Sequence, residues 1–314
     1  MTTTLIYDER FLDHDAADGP ESPLRLEEIL TVLQEDKDLW KTLIKITPHP
    51  AQLQDILRCH SKELVTRIDN LCSNGGGYID SDTHVGRDSY EVALLSAGAA
   101  ITAVDEVLTH RSKNAFSLAR PPGHHATSTQ AMGFCLLNNA AIAARYAQAI
   151  YGLENVLIVD WDVHHGNGTQ EIFYHDPLVF YYSIHEFPFY PGSGAFTEMG
   201  EGLGKGRTLN IPVPAGIPPK KYRQAFTAGF NAIKKIFTPD LIIISAGFDA
   251  RAGDPIGQLR LTPNDFYEMT LEVMDLADQF CDNRLISILE GGYVDQDRTL
   301  GQAVHQHLSA LANK

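Results

Sequence analysis

The stretch Val156-Leu-Ile-Val-Asp-Trp-Asp-Val-His-His-Gly-Asn167 decides how the rest of the chain is interpreted. It begins with a short run of β-branched and other apolar residues, which is typical of a buried strand. It ends in a cluster of acids, imidazoles and an amide. The stretch therefore predicts a strand over 156–161 whose carboxyl end carries polar side chains suited to chemistry.

The same apolar pattern recurs along the chain and alternates with longer helical patterns. The predicted strands are 5–7, 115–119, 156–161, 178–184, 208–211, 241–246 and 285–289. The predicted helices are 23–33, 62–71, 90–109, 138–150, 220–237, 263–280 and 300–312, with Thr262 as the expected N-cap of the sixth. Alternation of this kind is the signature of repeated βαβ units. We expect one α/β domain over residues 1–314, with an open, mostly parallel sheet flanked by helices, and long loops at 73–87 and 185–207.

The composition excludes several classes of protein. Of 314 residues, 44% are hydrophobic and 21% charged, which excludes disordered, collagen-like and coiled-coil chains. Twenty-five basic against forty acidic residues give a formal charge of -15, which disfavours nucleic-acid and membrane partners and favours cationic ones. The four cysteines lie far apart, so we expect no disulfide framework and a reducing, cytoplasmic location. The sequence leaves the oligomeric state open.

Clusters of polar residues follow four of the predicted strands. They are Arg120-Pro-Pro-Gly-His-His125, Asp160-Trp-Asp-Val-His-His-Gly-Asn167, Gly247-Phe-Asp249 and Glu290-Gly-Gly-Tyr293. The carboxyl ends of strands in an open parallel sheet border the crevice where ligands bind. We therefore expect these four segments to meet at one site.

A metal site is predicted at Asp162, His164 and Asp249. A spacing of two in an extended segment would put Asp162 and His164 on the same face, so that both can share one cation. Asp249, at the end of another strand, would supply the third ligand. Two carboxylates and one imidazole suit zinc or ferrous iron and leave room for water, as in catalytic sites.

His124 and His125 are candidates for proton transfer, because imidazole titrates in the range that general acid and base catalysis requires. Asp160 and Asn167 flank the ligand pair and could orient one ring each. An aspartate would hold a charged imidazolium, whereas the amide of Asn167 can only fix a tautomer. The ring paired with Asn167 should therefore titrate lower and be the better base.

Tyr293 follows two glycines, which let a bulky side chain be presented at the cleft. Its phenol can donate a hydrogen bond to the oxyanion that forms when water attacks a carbonyl. Together with metal-activated water and the two histidines, it describes metal-assisted hydrolysis of an amide.

These motifs resemble the histone deacetylase family, within the arginase/deacetylase fold, from about Tyr7 to Val294. The resemblance implies zinc at Asp162, His164 and Asp249, proton transfer by His124 and His125, and carbonyl polarisation by Tyr293. It also implies a structural monovalent cation, usually potassium, at Asp160, Asp162, His164 and Ser183. In the same way it implies that Phe134 and Tyr190 wall a narrow acyl-lysine channel, with Asp82 at its rim.

Trp161 and Asn167 resemble the class II branch of this family, and the retained Tyr293 implies a working deacetylase. Ile256 stands where relatives that prefer acetylated polyamines carry an acid. We therefore expect acetyl-lysine side chains of proteins, or related cationic amines, as substrates. The alternatives are an acetylpolyamine or other small acyl-amide hydrolase of the same fold and a non-catalytic acyl-lysine binding module.

An arginase-like enzyme with two manganese ions is a further rival of the same fold. It would need an Asp-x-Asp pair on the sixth predicted strand. The segment Gly247-Phe-Asp-Ala250 lacks this pair.

Overall fold

The computed structural model describes residues 2–313. Eight strands form one open sheet in the spatial order β2-β1-β5-β10-β9-β6-β7-β8, and every neighbouring pair in it is parallel. The strands are β1 (Thr3–Ile6), β2 (Ile44–Ile46), β3 (Gly77–Tyr78), β4 (His84–Val85), β5 (Asn114–Ser117), β6 (Val156–Asp160), β7 (Val179–Glu186), β8 (Thr208–Val213), β9 (Leu241–Ala246) and β10 (Leu285–Leu289). The two short strands β3 and β4 pair separately as an antiparallel hairpin.

Helices connect and flank these strands. They are α1 (Leu24–Glu35), α2 (Lys37–Thr42), α3 (Leu53–Ile56), α4 (Lys62–Ser73), α5 (Ser89–Leu108), α6 (Asn139–Tyr151), α7 (Asn167–Phe173), α8 (Pro219–Ile233), α9 (Pro263–Phe280) and α10 (Thr299–Asn313). Short 3-10 helices occupy Glu9–Asp13 and Gly202–Gly204. The α/β architecture expected from the sequence, an open parallel sheet flanked by helices, is confirmed.

The core lies around the central strands β6, β9 and β10, in which every residue is buried. A parallel sheet covered by helices on both faces requires apolar residues at almost every strand position, and these strands therefore read as continuous apolar runs. This explains why the sequence predicted them to within a residue.

The structure differs from the prediction where the elements are short or polar. The edge strand β2 was not predicted, because it has only three residues and its central Lys45 is exposed. The loop predicted over 73–87 contains the hairpin of β3 and β4. Helix α7 begins at Asn167, inside a segment that we interpreted only as a cluster of functional residues.

The four strands followed by polar clusters are neighbours in the sheet. The order β5-β10-β9-β6 places their carboxyl ends side by side, with Asp160 opposite Ser245 and Ala246 opposite Leu289. The four clusters therefore meet at one edge. Among the helices of residues 2–313, none combines the length and the apolar character that a bilayer crossing requires.

Candidate active site

Asp162, His164 and Asp249 come together at the carboxyl edge of the sheet. Each offers one ligand atom, and these atoms all lie within 4.8 Å of one another. The Nδ1 atom of His164 lies 3.0 Å from Oδ1 of Asp162 and 3.2 Å from Oδ2 of Asp249. All three residues are buried.

The side chains of Asp162 and His164 are brought together by a bend that follows strand β6, and not by the alternation of side chains along a strand. Strand β6 ends at Asp160, so the expectation that both residues share one face of an extended segment is wrong. The backbone N–H of His164 instead donates to Oδ1 of Asp162 at 2.8 Å. Such short-range side-chain to backbone bonds are what aspartate favours in turns. They bring the carboxylate and the imidazole to the same point.

Backbone amides from other segments fix the two carboxylates. The N–H of Val163 donates to Oδ1 of Asp249 at 2.8 Å, and the N–H of Gly291 donates to Oδ2 of Asp162 at 2.8 Å. A Cβ atom at Gly291 would lie 2.1 Å from Oδ2 of Asp249 and 2.5 Å from Oδ2 of Asp162. Glycine is therefore required here for the backbone to approach both acids.

The three residues fit a divalent cation. Oδ2 of Asp249 is buried and makes no hydrogen bond within residues 2–313, although Nδ1 of His164 lies near it. Burial, followed by the negative charge of Asp162, raises the pKa of Asp249 to about 7. A cation among these groups would offset both effects. Two carboxylate oxygens and one imidazole nitrogen form a donor set suited to zinc or ferrous iron.

His124 lies beside this cluster and is paired with an acid. Its Nδ1 lies 3.1 Å from Oδ2 of Asp160, and its Nε2 lies 3.8 Å from Oδ1 of Asp162. Burial lowers the pKa of His124, but the charges of Asp162 and Asp160 outweigh burial and raise it to about 10. The hydroxyl of Tyr181 donates to the same Asp160 oxygen at 2.9 Å. The paired carboxylate of Asp160 therefore favours the imidazolium form of His124.

His125 has the opposite environment. Its Nδ1 lies 2.8 Å from Oδ1 of Asn167, and its ring centroid is 4.0 Å from that of His124. Burial, followed by the positive charges of His124 and His164, holds the pKa of His125 well below its usual range. The two neighbouring imidazoles thus differ in charge, with the neutral ring next to the amide.

Two further residues support the histidines, and sequence reasoning assigned neither of them a role. Oε2 of Glu290 accepts from the backbone N–H groups of Gly123 at 2.7 Å and His124 at 3.1 Å. Its Oε1 accepts from the hydroxyl of Ser245 at 2.8 Å. Tyr181, described above, is the second. An acid directly after strand β10 was a usable signal for Glu290, whereas nothing local in the sequence marks Tyr181.

Tyr293 follows β10 and is 3% exposed. Burial, followed by the charge of Asp249, raises the pKa of Tyr293 well above its ordinary value, so its phenol is neutral and able to donate. The guanidinium of Arg25 lies over its ring at 5.1 Å from the centroid. The ring also meets that of Phe134 edge to face at 6.0 Å.

The residues expected to line a channel lie around this site. Tyr190 meets the ring of His125 edge to face at 5.1 Å. Phe134 has a φ of 66°, a backbone region that non-glycine residues seldom adopt, and such strain collects at functional sites. Its N–H donates to Oγ1 of Thr83, and that hydroxyl donates to Oδ1 of Asp82 at 2.9 Å, which brings Asp82 beside Phe134. Ile256 is partly buried, and its N–H donates to Asp254 at 2.8 Å.

The residues expected to hold a monovalent cation are also neighbours. Asp160 and Ser183 are register partners on β6 and β7, and both are fully buried. The N–H of Asp162 donates to Oδ1 of Asp160 at 3.2 Å. The hydroxyl of Ser183 is hydrogen bonded to Nδ1 of His185 at 2.8 Å.

Comparison with known proteins identifies the family. The histone deacetylase domain family matches residues 19–311, which is nearly the whole chain. This chain belongs to the histone deacetylase family. As a member of this family of deacetylases and amidohydrolases, it is a hydrolase that removes acyl groups from amide nitrogen.

Relatives of this family member occur in bacteria and archaea. It is 41% identical over 299 residues to a histone deacetylase-like amidohydrolase of Pseudomonas aeruginosa, with 94% of this chain and 77% of that protein covered. It is 39% identical over 297 residues to a probable deacetylase of Archaeoglobus fulgidus, with 93% and 82% covered. A crystal structure of the HDA15 HD domain superposes with a TM-score of 0.94 at 39% identity, covering 100% of this chain and 88% of that one.

Proposed function

We propose that this histone deacetylase family member removes acetyl groups from N-acetyl-lysine side chains of proteins or from related cationic amines. The observation that carries the proposal is the pairing of one cationic and one neutral imidazole beside a three-ligand cluster. Nε2 of His124 lies 3.8 Å from Asp162, and the His125 ring centroid lies 5.8 Å from that of His164. Amide hydrolysis needs a base for water, an acid for the departing amine and a donor for the oxyanion.

Asp162, His164 and Asp249 would hold the metal ion, for which we propose zinc, with ferrous iron as the alternative. Such an ion supplies Lewis acidity, which polarises the substrate carbonyl and lowers the pKa of water. The donor set of two oxygens and one nitrogen supports zinc, although it also admits iron. Asp160, Asp162, His164 and Ser183 would hold a potassium ion.

The protein's own residues perform the proton transfers in this proposal. His125, kept neutral by burial and by the positive charges of His124 and His164, accepts a proton from the attacking water, while Asn167 holds its Nδ1. The departing nitrogen takes a proton from the imidazole pair. Asp160 holds His124 in its charged form. Tyr293 donates a hydrogen bond to the carbonyl oxygen as negative charge develops there.

Replacement of Tyr293 tests the proposal directly. Y293F removes the hydroxyl and keeps the ring. We expect kcat/KM on an acetyl-lysine peptide to fall about 10²- to 10³-fold, which corresponds to a loss of roughly 2.7 to 4 kcal/mol of transition-state stabilisation, as for the removal of one oxyanion donor. Y267F, which removes a hydroxyl from helix α9 outside the site, is the matched control. Full activity of Y293F would exclude the assigned role.

Removal of the metal is the second test. We expect a chelator to abolish activity, and added zinc or ferrous iron to restore it, with about one divalent ion bound per chain. D249N, which weakens one ligand, should lower metal content measured by elemental analysis. Turnover that survives complete removal of the ion contradicts the metal-dependent mechanism.

The substrate class is tested by comparison of turnover. At the rim beside Phe134, the backbone N–H of Asp82 donates to Oδ1 of Asp80 at 3.1 Å, and Oδ1 of Asp82 accepts from the Thr83 hydroxyl at 2.9 Å. These two carboxylates favour a cationic chain or a backbone amide at the channel mouth. Ile256 offers no charge to a distal ammonium. We therefore expect higher kcat/KM on an acetyl-lysine peptide than on N-acetylputrescine, and the reverse order supports the polyamine alternative.

Three wider features complete the proposal. Residues 1–314 would form a single catalytic domain, and the separated cysteines support a cytoplasmic location. The formal charge of -15 supports cationic partners over nucleic acid or anionic membranes.

A further inference from the structure

Tyr293 lies on a segment with little regular structure of its own. Between β10 and α10 the chain forms no helix or strand, and Tyr293 follows Gly291 and Gly292, the second with a φ of 114°. Glycines leave many backbone conformations open. Something outside this segment must therefore fix where the phenol points.

Arg251 and Asp254 bind the two backbone polar groups of Tyr293, its N–H and its carbonyl oxygen. The backbone N–H of Tyr293 donates to Oδ2 of Asp254 at 3.0 Å. Its carbonyl oxygen accepts from Nη2 of Arg251. Arg251 and Asp254 also form an ion pair with each other, and both side chains are almost fully buried.

The guanidinium of Arg251 has no spare donor. Its Nε donates to Oγ1 of Thr299 at 2.8 Å, and Nη2 donates to Asp295 at 2.8 Å as well as to Tyr293. Its Nη1 donates to the carbonyl of Phe248 at 3.1 Å and to Asp254. Five N–H groups in a rigid plane thus meet five acceptors, which fixes the position of the whole group.

Asp254 also binds the backbone of the loop that carries Ile256, a residue expected to line the channel. Its Oδ1 accepts from the N–H groups of Ile256 at 2.8 Å and Gly257 at 3.0 Å, while its Oδ2 accepts from Tyr293. The same loop carries Asp249, the third residue of the candidate metal cluster. The pair therefore joins the loop of Asp249 and Ile256 to the segment of Tyr293.

We propose that Arg251 and Asp254 are positioning residues that set the place of the Tyr293 hydroxyl relative to Asp162, His164 and Asp249. This inference rests on the proposed function of Tyr293 as the oxyanion donor. Neither residue is catalytic, because both act through the Tyr293 backbone. A displacement of about 1 Å in a reacting group can cost on the order of 100-fold in rate, so loss of the pair should lower kcat.

A double-mutant cycle tests the proposal. D254N keeps the size of the side chain but removes its charge and one acceptor oxygen, and we expect kcat to fall about 10- to 100-fold with KM changed less than about threefold. In a Y293F background, the same substitution should change kcat by less than about threefold, since the hydroxyl that the pair positions is absent. R251Q provides a second, independent variant if D254N does not fold.

The controls separate positioning from general stability and from metal loss. Arg207 also donates to two carbonyls, those of Pro177 and Ile236, but away from this site, so R207Q should lower the melting temperature without lowering kcat. Metal content of D254N, measured by elemental analysis, should equal that of the unsubstituted protein. A lower content would show that the pair acts on the Asp249 loop and would overturn the proposal.

The cycle also separates this inference from the proposed function. An equal fall in kcat from D254N in the presence and absence of the Tyr293 hydroxyl overturns the positioning role alone. Full activity of Y293F by itself overturns the function assigned to Tyr293, and the positioning role with it.

Discussion

At the scale of single residues, the two histidines of the site show how the surrounding groups determine whether an imidazole is charged. His124 and His125 are adjacent in sequence and equally buried, but Asp160 faces one and Asn167 faces the other. A carboxylate stabilises an imidazolium, and an amide oxygen carries no charge to do so. The difference in pKa between the two rings follows from the charges around them: Asp162 and Asp160 raise the pKa of His124, whereas burial and the charges of His124 and His164 lower that of His125.

Exchange of the amide for an acid should shift the pH dependence of the reaction. In N167D, a carboxylate beside His125 would raise the pKa of this ring, so a larger fraction would be protonated and inactive as a base at neutral pH. We expect the acidic limb of the kcat/KM profile to move to higher pH. The converse variant D160N should not reproduce that shift, and an unchanged profile for N167D would contradict the role of His125 as the base.

A methyl group at Gly291 should disrupt the metal cluster. Because a Cβ there would lie 2.1 Å from Oδ2 of Asp249, G291A must displace one of the two acids. We expect weaker binding of divalent metal, measured by titration calorimetry. G19A, where the Cβ would meet only the carbonyl of Ala16 at 3.2 Å, is the control and should bind metal normally.

Single residues also mark the limit of prediction from sequence. Asp162, His164, Asp249 and Tyr293 could be predicted because each follows an apolar strand, and the sheet brings strand ends together. The contacts of Arg251 could not be predicted, since three of its five acceptors, Tyr293, Asp295 and Thr299, lie 42, 44 and 48 residues away in the sequence. Which side chains meet across loops depends on the tertiary structure, and a local pattern does not record it.

At the scale of elements, length and burial decided what could be predicted. Helix α9 was predicted over 263–280 with Thr262 as its N-cap, and the structure confirms both bounds and the cap. Asp265, at the third helical position, accepts from the N–H of Thr262 at 2.8 Å and from its hydroxyl at 2.6 Å. By contrast, β2 and α7 have too few apolar positions to show a recognisable hydrophobic periodicity.

Loss of this cap should destabilise the protein modestly. D265A leaves the backbone N–H and the hydroxyl of the N-cap Thr262 without their acceptor. We expect the free energy of unfolding in urea to fall by about 1 kcal/mol, within a range of roughly 0.5 to 2. N264A, an exposed change in the same first turn, should alter it by less than about 0.5 kcal/mol. Equal effects of the two variants would show that the cap contributes nothing.

At the scale of the whole molecule, buried histidines make the fold sensitive to acid. Burial lowers the pKa of His60 to about 4 and that of His307 to about 3. His60 accepts from the N–H of Asn138 at 2.8 Å, and His307 is hydrogen bonded to Thr270 and Ser287. Both are therefore neutral in the folded protein, far from the candidate metal ligands in sequence.

Stability should accordingly fall as the pH decreases. Since the pKa of His60 is lower in the folded chain than its ordinary 6.5, the unfolded chain binds more protons between pH 6.5 and about 4. The stabilisation is complete above pH 6.5 and is lost as pH falls through this interval, on the order of 3 kcal/mol for this residue. We expect H60Q to flatten the slope of unfolding free energy against pH, whereas H110N, at an exposed turn, should leave it unchanged.

The position of β10 has a consequence for how the chain is made. This strand, at Leu285–Leu289, lies between β5 and β9 and is the only strand within the described residues that pairs with both. While the nascent polypeptide emerges from the ribosome, the earlier strands can assemble only as two separate groups with unpaired edges. Such edges are prone to association with other chains. The catalytic edge is therefore completed only after residues 285–289 have been synthesised, when β10 closes the gap.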